Sequence, residues 1–189
     1  MSYFNSETCY GSVTKFFHWT LAFLVIVMLI VGALMDDIDN EKFKMVVYTV
    51  HKSTGLLILV FSVLAFVWHW VNPLPVAPDS MPLAQRVLAK LVHLLLYGLL
   101  IAMSLVGLMM SIAAGYPPKF FWLFTVTLPI EKSESLAKLL AGYHNKLAWA
   151  ILVVAAGHIL AALAHHFYYK DNVLKRMLCN HFQGNEENK

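Results

Sequence analysis

Four long apolar runs, separated by polar or proline-rich stretches, dominate the sequence. They cover residues 16–35, 46–71, 91–114 and 143–169. A helix needs about 20 residues to cross a hydrocarbon core of about 30 Å, and each run is long enough to do so. In lipid a helix satisfies its backbone polar groups within one segment, whereas a single strand does not. The pattern therefore predicts an all-α membrane protein, an antiparallel bundle of four transmembrane helices in one domain.

The connections between the predicted helices differ in character. Residues 36–44 form a short acidic and mixed turn, and residues 71–82 form a proline-rich bridge without helix potential. The longest connection, residues 115–142, holds the aromatic stretch KFFWLF followed by EKSESLAKLLAG. Ser133 or Ser135 can cap a short helix there with three leucines on one side, and we expect it to lie along the membrane surface.

Composition supports a membrane protein and narrows its partners. Hydrophobic residues make up 59% of the chain and charged residues 13%, with a mean hydropathy of +0.64. The first run lacks a small-residue cleavage site and leads into Asp36 and Asp37, so we interpret it as a retained span. A net charge of +3 is too modest to indicate nucleic acid, and membrane lipid is the expected partner. We expect the tail, residues 179–189, to be disordered.

Four spans place both termini on one side of the membrane, which we call the inner side, opposite the outer side. Lys and Arg number seven on each side, so the positive-inside rule does not settle the orientation. Lys170, Lys175 and Arg176, just after the fourth span, favour a cytoplasmic C-terminus.

The histidines are distributed unequally between the two ends of the predicted bundle. In the outer half there are only two, His51 at the start of the second span and His144 at the start of the fourth. His158 follows His144 by fourteen residues, which is about 21 Å along a helix and within about 40° of the same face. The fourth span therefore carries an imidazole at each of two depths.

Two imidazoles at one depth suit haem iron better than zinc. A tetrahedral zinc site takes three or four protein ligands, whereas a porphyrin supplies four nitrogens and leaves two axial positions. Polar residues within spans are costly and indicate function. His51 with His144 would hold one haem, and His158 with an inner histidine would hold another.

Residue spacing alone does not identify the inner histidine that pairs with His158. His18 is nearer the end of its span than His158, so their depths match only if the first span begins near residue 13 or the fourth extends beyond the lipid. His165, seven residues after His158, is a rival ligand. His69 and His166 are interpreted as hydrogen-bonded polar residues near the interface. The small residues around His158 either leave room for the flat ring of a haem or allow close contact between helices.

Four sequence elements carry a family resemblance. They are KFFHW in the first span, HKSTG in the second, the two histidines of the fourth, and LAHHFYYKDNVLKRM after them. Together they resemble the bacterial cytochrome b-561 family over about residues 10–177. The resemblance implies four helices and two haem b groups with two histidines each: His18 with His158 on the cytoplasmic side, and His51 with His144 on the periplasmic side. It also implies the bacterial inner membrane, with both termini cytoplasmic.

One departure from the family concerns the haem propionates. Members often carry arginines along the later part of the second span, where this chain has Ala65 and His69. Lys15, Lys52 and Lys146, each near a ligand histidine, are the alternative propionate partners. Such lysines also commonly snorkel toward the membrane surface.

The resemblance implies an oxidoreductase that oxidises periplasmic superoxide and reduces ubiquinone in the membrane. His93 and His165, with Tyr97, would border a quinone pocket. Three lysines of the outer connection would attract an anion, although neighbouring glutamates offset them. They are Lys119, Lys132 and Lys138.

Two other functions are compatible with the sequence. In the first, the chain is a cytochrome b subunit that relays electrons between a hydrogenase or dehydrogenase partner and quinone, so that a redox protein is the donor. In the second, it is a metal or proton transporter without haem. A bis-histidine absorption spectrum would exclude the second.

Overall fold

The computed structural model describes residues 2–78 and 81–178. Four long helices dominate these residues, and all four are long and apolar enough to cross a membrane. They are α1 (Ser12–Leu34), α2 (Glu41–Val71), α3 (Leu83–Ala113) and α4 (Glu134–Ala164). The predicted fold class, a four-helix membrane bundle, is confirmed.

Shorter elements join and extend these helices. A 3-10 turn, Met35–Asp37, ends α1, and a π-helical turn, His165–Tyr169, follows α4. The short helix α5 (Val173–Leu178) comes last. The outer connection forms a hairpin of β1 (Lys119–Phe120) and β2 (Phe124–Thr125). The expected disordered tail lies outside the described residues.

Each helix packs against its neighbour in sequence, α1 on α2, α2 on α3 and α3 on α4. The buried core takes residues from all four helices, among them Leu21, Ile58, Leu100 and Ile151. Many large apolar side chains point outward instead, such as Val153, which is 68% exposed. Such a surface is expected where lipid, and not water, surrounds the helices.

All four long helices begin earlier than the apolar runs, and α1 and α4 show why. Ser12 starts α1 four residues before the predicted position 16. Ser133 caps α4, and its hydroxyl accepts a hydrogen bond from the backbone N–H of Leu136. The helix then continues without a break into the fourth span. The separate surface helix predicted for this stretch is therefore wrong. Gly142 is the only residue there that disfavours a helix, and a single glycine is tolerated.

The inner end of the bundle is tied together by polar contacts of the N-terminal segment. Thr14 on α1 donates to Asn5 Oδ1 (2.8 Å) and accepts from Trp68 Nε1 (3.0 Å) on α2. Asn72, which is 1% exposed, donates to the same hydroxyl and accepts from the backbone N–H of Asn5. These bonds extend α1 inward beyond its apolar run.

The last helix, α5, joins the same inner end. The indole N–H of Trp19 on α1 donates to the Met177 carbonyl (3.3 Å), and Arg176 donates to the Val76 carbonyl. Burial raises the pKa of the nearby Tyr10 phenol, and the Arg176 guanidinium opposes this shift. The short helix therefore connects the fourth span to the first.

Candidate haem-binding sites

The outer end of the bundle carries His51 on α2 and His144 on α4. Each imidazole rests against a glycine of another helix. A Cβ added at Gly32 on α1 would lie 3.3 Å from Cε1 of His51. A Cβ added at Gly107 on α3 would lie only 2.9 Å from Cε1 of His144. The two glycines therefore make the space that these rings occupy.

The hydrogen bonding of this outer pair fits a ligand site. Nδ1 of His51 and Nδ1 of His144 are both buried and have no hydrogen-bond partner among the described residues. Buried polar atoms normally have a partner, because leaving one unpaired costs about 1–3 kcal/mol. Nδ1 of His166 is buried and unpartnered in the same way, but only His51 and His144 lie at the outer end, and two buried imidazoles at one depth are the kind of donors that ligation of haem requires.

At the inner end, His18 on α1 faces His158 on α4, with ring centres 6.1 Å apart. Two imidazoles on one metal, with bonds of about 2 Å and about 1.2 Å from nitrogen to ring centre, have centres about 6.4 Å apart. The observed spacing agrees with that value. Because α1 begins at Ser12, the depths of these two histidines match.

Other histidines near this inner pair are arranged differently. The ring of His93 on α3 is 5.0 Å from that of His158 and nearly perpendicular to it, at 81°. Its Nδ1 lies 2.7 Å from the Ala89 carbonyl, and since a carbonyl only accepts, Nδ1 carries the proton. A spacing of 5.0 Å is too short for two imidazoles on one iron.

His165, the rival ligand, lies in the π-helical turn. Its Nδ1 is 2.5 Å from Oδ2 of Asp171, and the two side chains are 14% and 10% exposed. Along the helix axis, this turn lies about 10 Å farther toward the inner end of the bundle than His158. Asp171 also caps α5, because its Oδ1 accepts from the backbone N–H of Val173. The contacts of His165 therefore lie at the end of the bundle.

The three lysines predicted near the propionates have distinct surroundings. Lys52 is half-buried beside His51, and its Nζ donates to the Tyr116 carbonyl (3.2 Å). Lys146 is exposed, and its Nζ lies 5.6 Å from the centre of the Tyr143 ring. Lys15 is half-buried on α1, three residues before His18.

The outer-loop lysines are also unequal. Lys138 pairs with Glu134 at 2.7 Å, and both side chains are largely exposed. The alkyl chain of Lys132 lies over Gly115, which has a φ of +86°. Lys119 is exposed at the base of the hairpin. Because its partner neutralises it, Lys138 contributes least to any attraction of anions.

Sequence reasoning missed two features of these sites. The first is the pair Gly32 and Gly107; a lone glycine inside an apolar helix is a signal of close approach that could have found them. The second is a small inner cavity of about 20 Å³, lined by His69, Tyr97 and Trp68 among others. The N-terminal segment forms part of its wall, and no local pattern indicates that contact. Within the described ranges, no three His, Cys, Asp or Glu side chains form a group that could hold a metal ion.

Comparisons with known proteins agree with this arrangement. The family model described as "Prokaryotic cytochrome b561" matches residues 9–180. The chain is 33% identical over 179 residues to "Cytochrome b561 homolog 2" of Escherichia coli (strain K12), covering 94% of this chain and 95% of that protein. It is 30% identical over 170 residues to "Probable superoxide oxidase CybB" of Yersinia pestis, covering 85% and 90%. The chain therefore belongs to the prokaryotic cytochrome b561 family of membrane electron-transfer proteins, which bind b-type haem.

Proposed function

We propose that this chain carries single electrons across the membrane through two b-type haems, each held by two histidines. The observation that carries the proposal is the 6.1 Å separation of the His18 and His158 rings, which suits two axial ligands of one iron. His51 and His144 form the second pair. Their glycine-lined positions and unpartnered Nδ1 atoms support that role.

The ligand set limits the chemistry at each site. Two histidines would hold each haem iron, and such sites would be suited to electron transfer and not to binding oxygen at the metal. When bound, each haem would supply a one-electron couple whose potential depends on axial ligands, burial and hydrogen bonding. His144 and His158 are fourteen residues apart on one helix, which places the two levels about 21 Å apart. That distance covers most of the hydrocarbon core.

We further propose superoxide as the donor and ubiquinone as the acceptor. Two superoxide anions would each lose one electron to become O₂, and ubiquinone would take both electrons and two protons to become ubiquinol. The name of the Yersinia pestis relative supports this assignment. Lys52, Lys119 and Lys132 at the outer end would favour approach of an anion. The acceptor would bind at the inner end, where His93, His165 and Tyr97 are the candidate neighbours.

The proposed setting is the bacterial inner membrane with both termini in the cytoplasm. The basic residues Lys175 and Arg176, which follow the fourth span, support that orientation. Lys15, beside His18, and Lys52, beside His51, are the proposed propionate partners, because both are half-buried at the level of a ligand pair. Lys146 is more exposed and is the weaker candidate.

One experiment separates this function from the relay function. The purified chain is supplied with enzymatically generated superoxide and a soluble ubiquinone, and ubiquinol formation and haem content are measured. We expect two haems per chain and ubiquinol formation that superoxide dismutase abolishes. Two haems without superoxide-driven reduction would reject the oxidase and favour a subunit that takes electrons from a partner protein. Colourless protein after expression with ample haem would reject both.

A further inference from the structure

The outer hairpin combines an uncharged sequence with an exposed tip. Residues 120–130 contain no charged side chain. At the tip, Trp122, Leu123 and Phe124 are 58%, 77% and 57% exposed. Three adjacent large apolar residues on a water-exposed loop would be unfavourable, so their exposure needs a partner.

A buried serine fixes the position of this hairpin. Ser53 on α2 has no exposed surface, and its single hydroxyl proton is shared between the Thr49 carbonyl (2.8 Å) of its own helix and the Lys119 carbonyl (3.0 Å) on β1. The same oxygen accepts from the backbone N–H of Phe121 (2.8 Å). The base of the hairpin therefore lies at the depth of Ser53, two residues, or about 3 Å, inward of His51.

That depth can be compared with the outer polar boundary of the bundle. Asp36, at the end of α1, accepts a hydrogen bond from the hydroxyl of Tyr48 on α2. Ser53 is five residues farther inward than Tyr48, which is about 7 Å along the helix axis. The hairpin therefore folds back from the end of α3 to a level inside the acidic edge of the bundle. A membrane whose surface lies at this acidic edge would place lipid headgroups and the first acyl carbons at the level of the hairpin.

The backbone of the hairpin is suited to such a place. The strands pair Lys119 with Thr125 and Phe120 with Phe124, and the Leu123 N–H donates to the Phe120 carbonyl (2.8 Å). Near hydrocarbon, backbone groups must be satisfied within the protein. Lys119, the charged residue at the base, is exposed and can extend its ammonium toward water.

The turn itself is held in an unfavourable conformation. Phe121 and Trp122 have φ values of +41° and +63°. A turn with both central residues at positive φ is usually built from glycine or asparagine. Two aromatic residues persist in it only if the surroundings determine the conformation. Ser53 provides one such constraint on the bundle side, and it leaves the aromatic tip facing outward.

We infer that the hairpin tip, residues 122–124, is a membrane anchor that inserts into the outer lipid interface beside α2. Tryptophan is enriched at this interface because its amphipathic ring sits at headgroup level, and flanking leucine and phenylalanine add apolar contact with the acyl chains. The anchor holds the outer connection beside the His51 level of the bundle. It requires neither haem nor a particular electron donor.

A depth-dependent fluorescence experiment tests the inference. Cys9 and Cys179 are replaced by serine, and Leu123→Cys is labelled with bimane and reconstituted into phosphatidylcholine vesicles with or without bromine on the acyl chains. Val153→Cys, 68% exposed at mid-span on α4, is the lipid-facing control. Lys138→Cys is the aqueous control, because its side chain is 77% exposed and lies six residues outward of His144. An unchanged visible absorption spectrum verifies the fold of each variant.

Brominated lipid should lower the fluorescence of the labels at Leu123 and Val153 by at least about twofold relative to the label at Lys138, because bromine lies only in the bilayer. Iodide in the buffer should quench the label at Lys138 most. The inference is overturned if the label at Leu123 responds to both quenchers as the label at Lys138 does. That result would identify the tip as a water-exposed face, available to a partner protein.

Discussion

A single methyl group on α3 should weaken haem binding at the outer site. In Gly107→Ala, the new Cβ would lie 2.9 Å from Cε1 and 3.2 Å from Nδ1 of His144. Carbon atoms in contact normally stay about 3.5–4.0 Å apart, so at least about 0.6 Å of space is missing. The methyl group belongs to a rigid helix backbone. The imidazole of His144 must therefore move.

The size of the effect follows from that displacement. Overpacking of this kind typically costs about 1–3 kcal/mol. A ligand site must be held within about 0.5 Å of its productive geometry, so a shift of about 0.6 Å at the ring reaches the iron bond. If this free-energy cost destabilises only the haem-bound protein, the affinity of the outer site for haem drops roughly 5- to 150-fold. The inner site, at His18 and His158, should be unaffected.

Two other glycines supply graded controls. At Gly32, a Cβ would lie 3.3 Å from Cε1 of His51, so Gly32→Ala should produce a smaller loss at the same outer site. At Gly98, also on α3, an added Cβ meets nothing within 4 Å. Gly98→Ala should leave haem binding unchanged, and alanine favours the helix by up to about 1 kcal/mol over glycine.

The assay is the rate at which haem leaves the purified protein for an excess of a soluble haem scavenger, followed by visible absorbance, together with haem per chain. The wild type and Gly98→Ala should lose haem slowly and alike. Gly107→Ala should show a fast phase that accounts for half of the haem. The reasoning is refuted if Gly107→Ala loses haem at a rate within about a factor of two of the Gly98→Ala rate. His144 would then not be a haem ligand whose position depends on Gly107.

Three further predictions concern side chains whose contacts differ. His51→Ala and His144→Ala should each lower the haem content from two to one, and a count of two in either variant would refute that pairing. His69→Ala should keep both haems, because its ring centre lies 6.1 Å from the Tyr97 ring and it belongs to neither facing pair; loss of a haem would contradict this. Ser53→Ala should cost about 1–3 kcal/mol and lower the Tm, since the Phe121 N–H loses its acceptor and the Lys119 carbonyl loses a donor that it shares with the Thr49 carbonyl. Ser62→Ala should leave the Tm unchanged or higher, because this buried hydroxyl has no partner in residues 2–78 and 81–178; equal losses for both serines would exclude this reasoning.

The four helices were predictable because the signal for a membrane span is summed over about 20 residues. Their ends were less predictable, because helix ends depend on single contacts. The start of α1 is set by Thr14, which bonds to Asn5 and to Trp68, 54 residues away. The apolar pattern begins only at residue 16. A boundary drawn there placed His18 too near the membrane edge.

The outer hairpin shows a second limit of sequence patterns. A turn is recognised by glycine, asparagine or proline at its centre. Here Phe121 and Trp122 occupy those positions with positive φ, so the usual signal is absent. The conformation depends on Ser53 of a distant helix, which bonds to Lys119 and Phe121 on the first arm of the hairpin. A pattern local to residues 115–142 contains none of that information.

The inner site shows why depth alone could not assign the partner of His158. Residue spacing along the helices gives only the depth of each histidine in the bundle. By depth, His93 on α3 is as suitable a partner for His158 as His18 is. The lateral distances differ: the His18 ring lies at 6.1 Å, which fits the proposed site with two imidazoles on one iron, and the His93 ring lies closer, at 5.0 Å. The Nδ1 bond of His93 to the Ala89 carbonyl also fixes its ring nearly perpendicular to His158. His93 is therefore better suited to restrict the rotation of the His158 ring than to replace His18, and this distinction follows from helix packing and not from the order of residues.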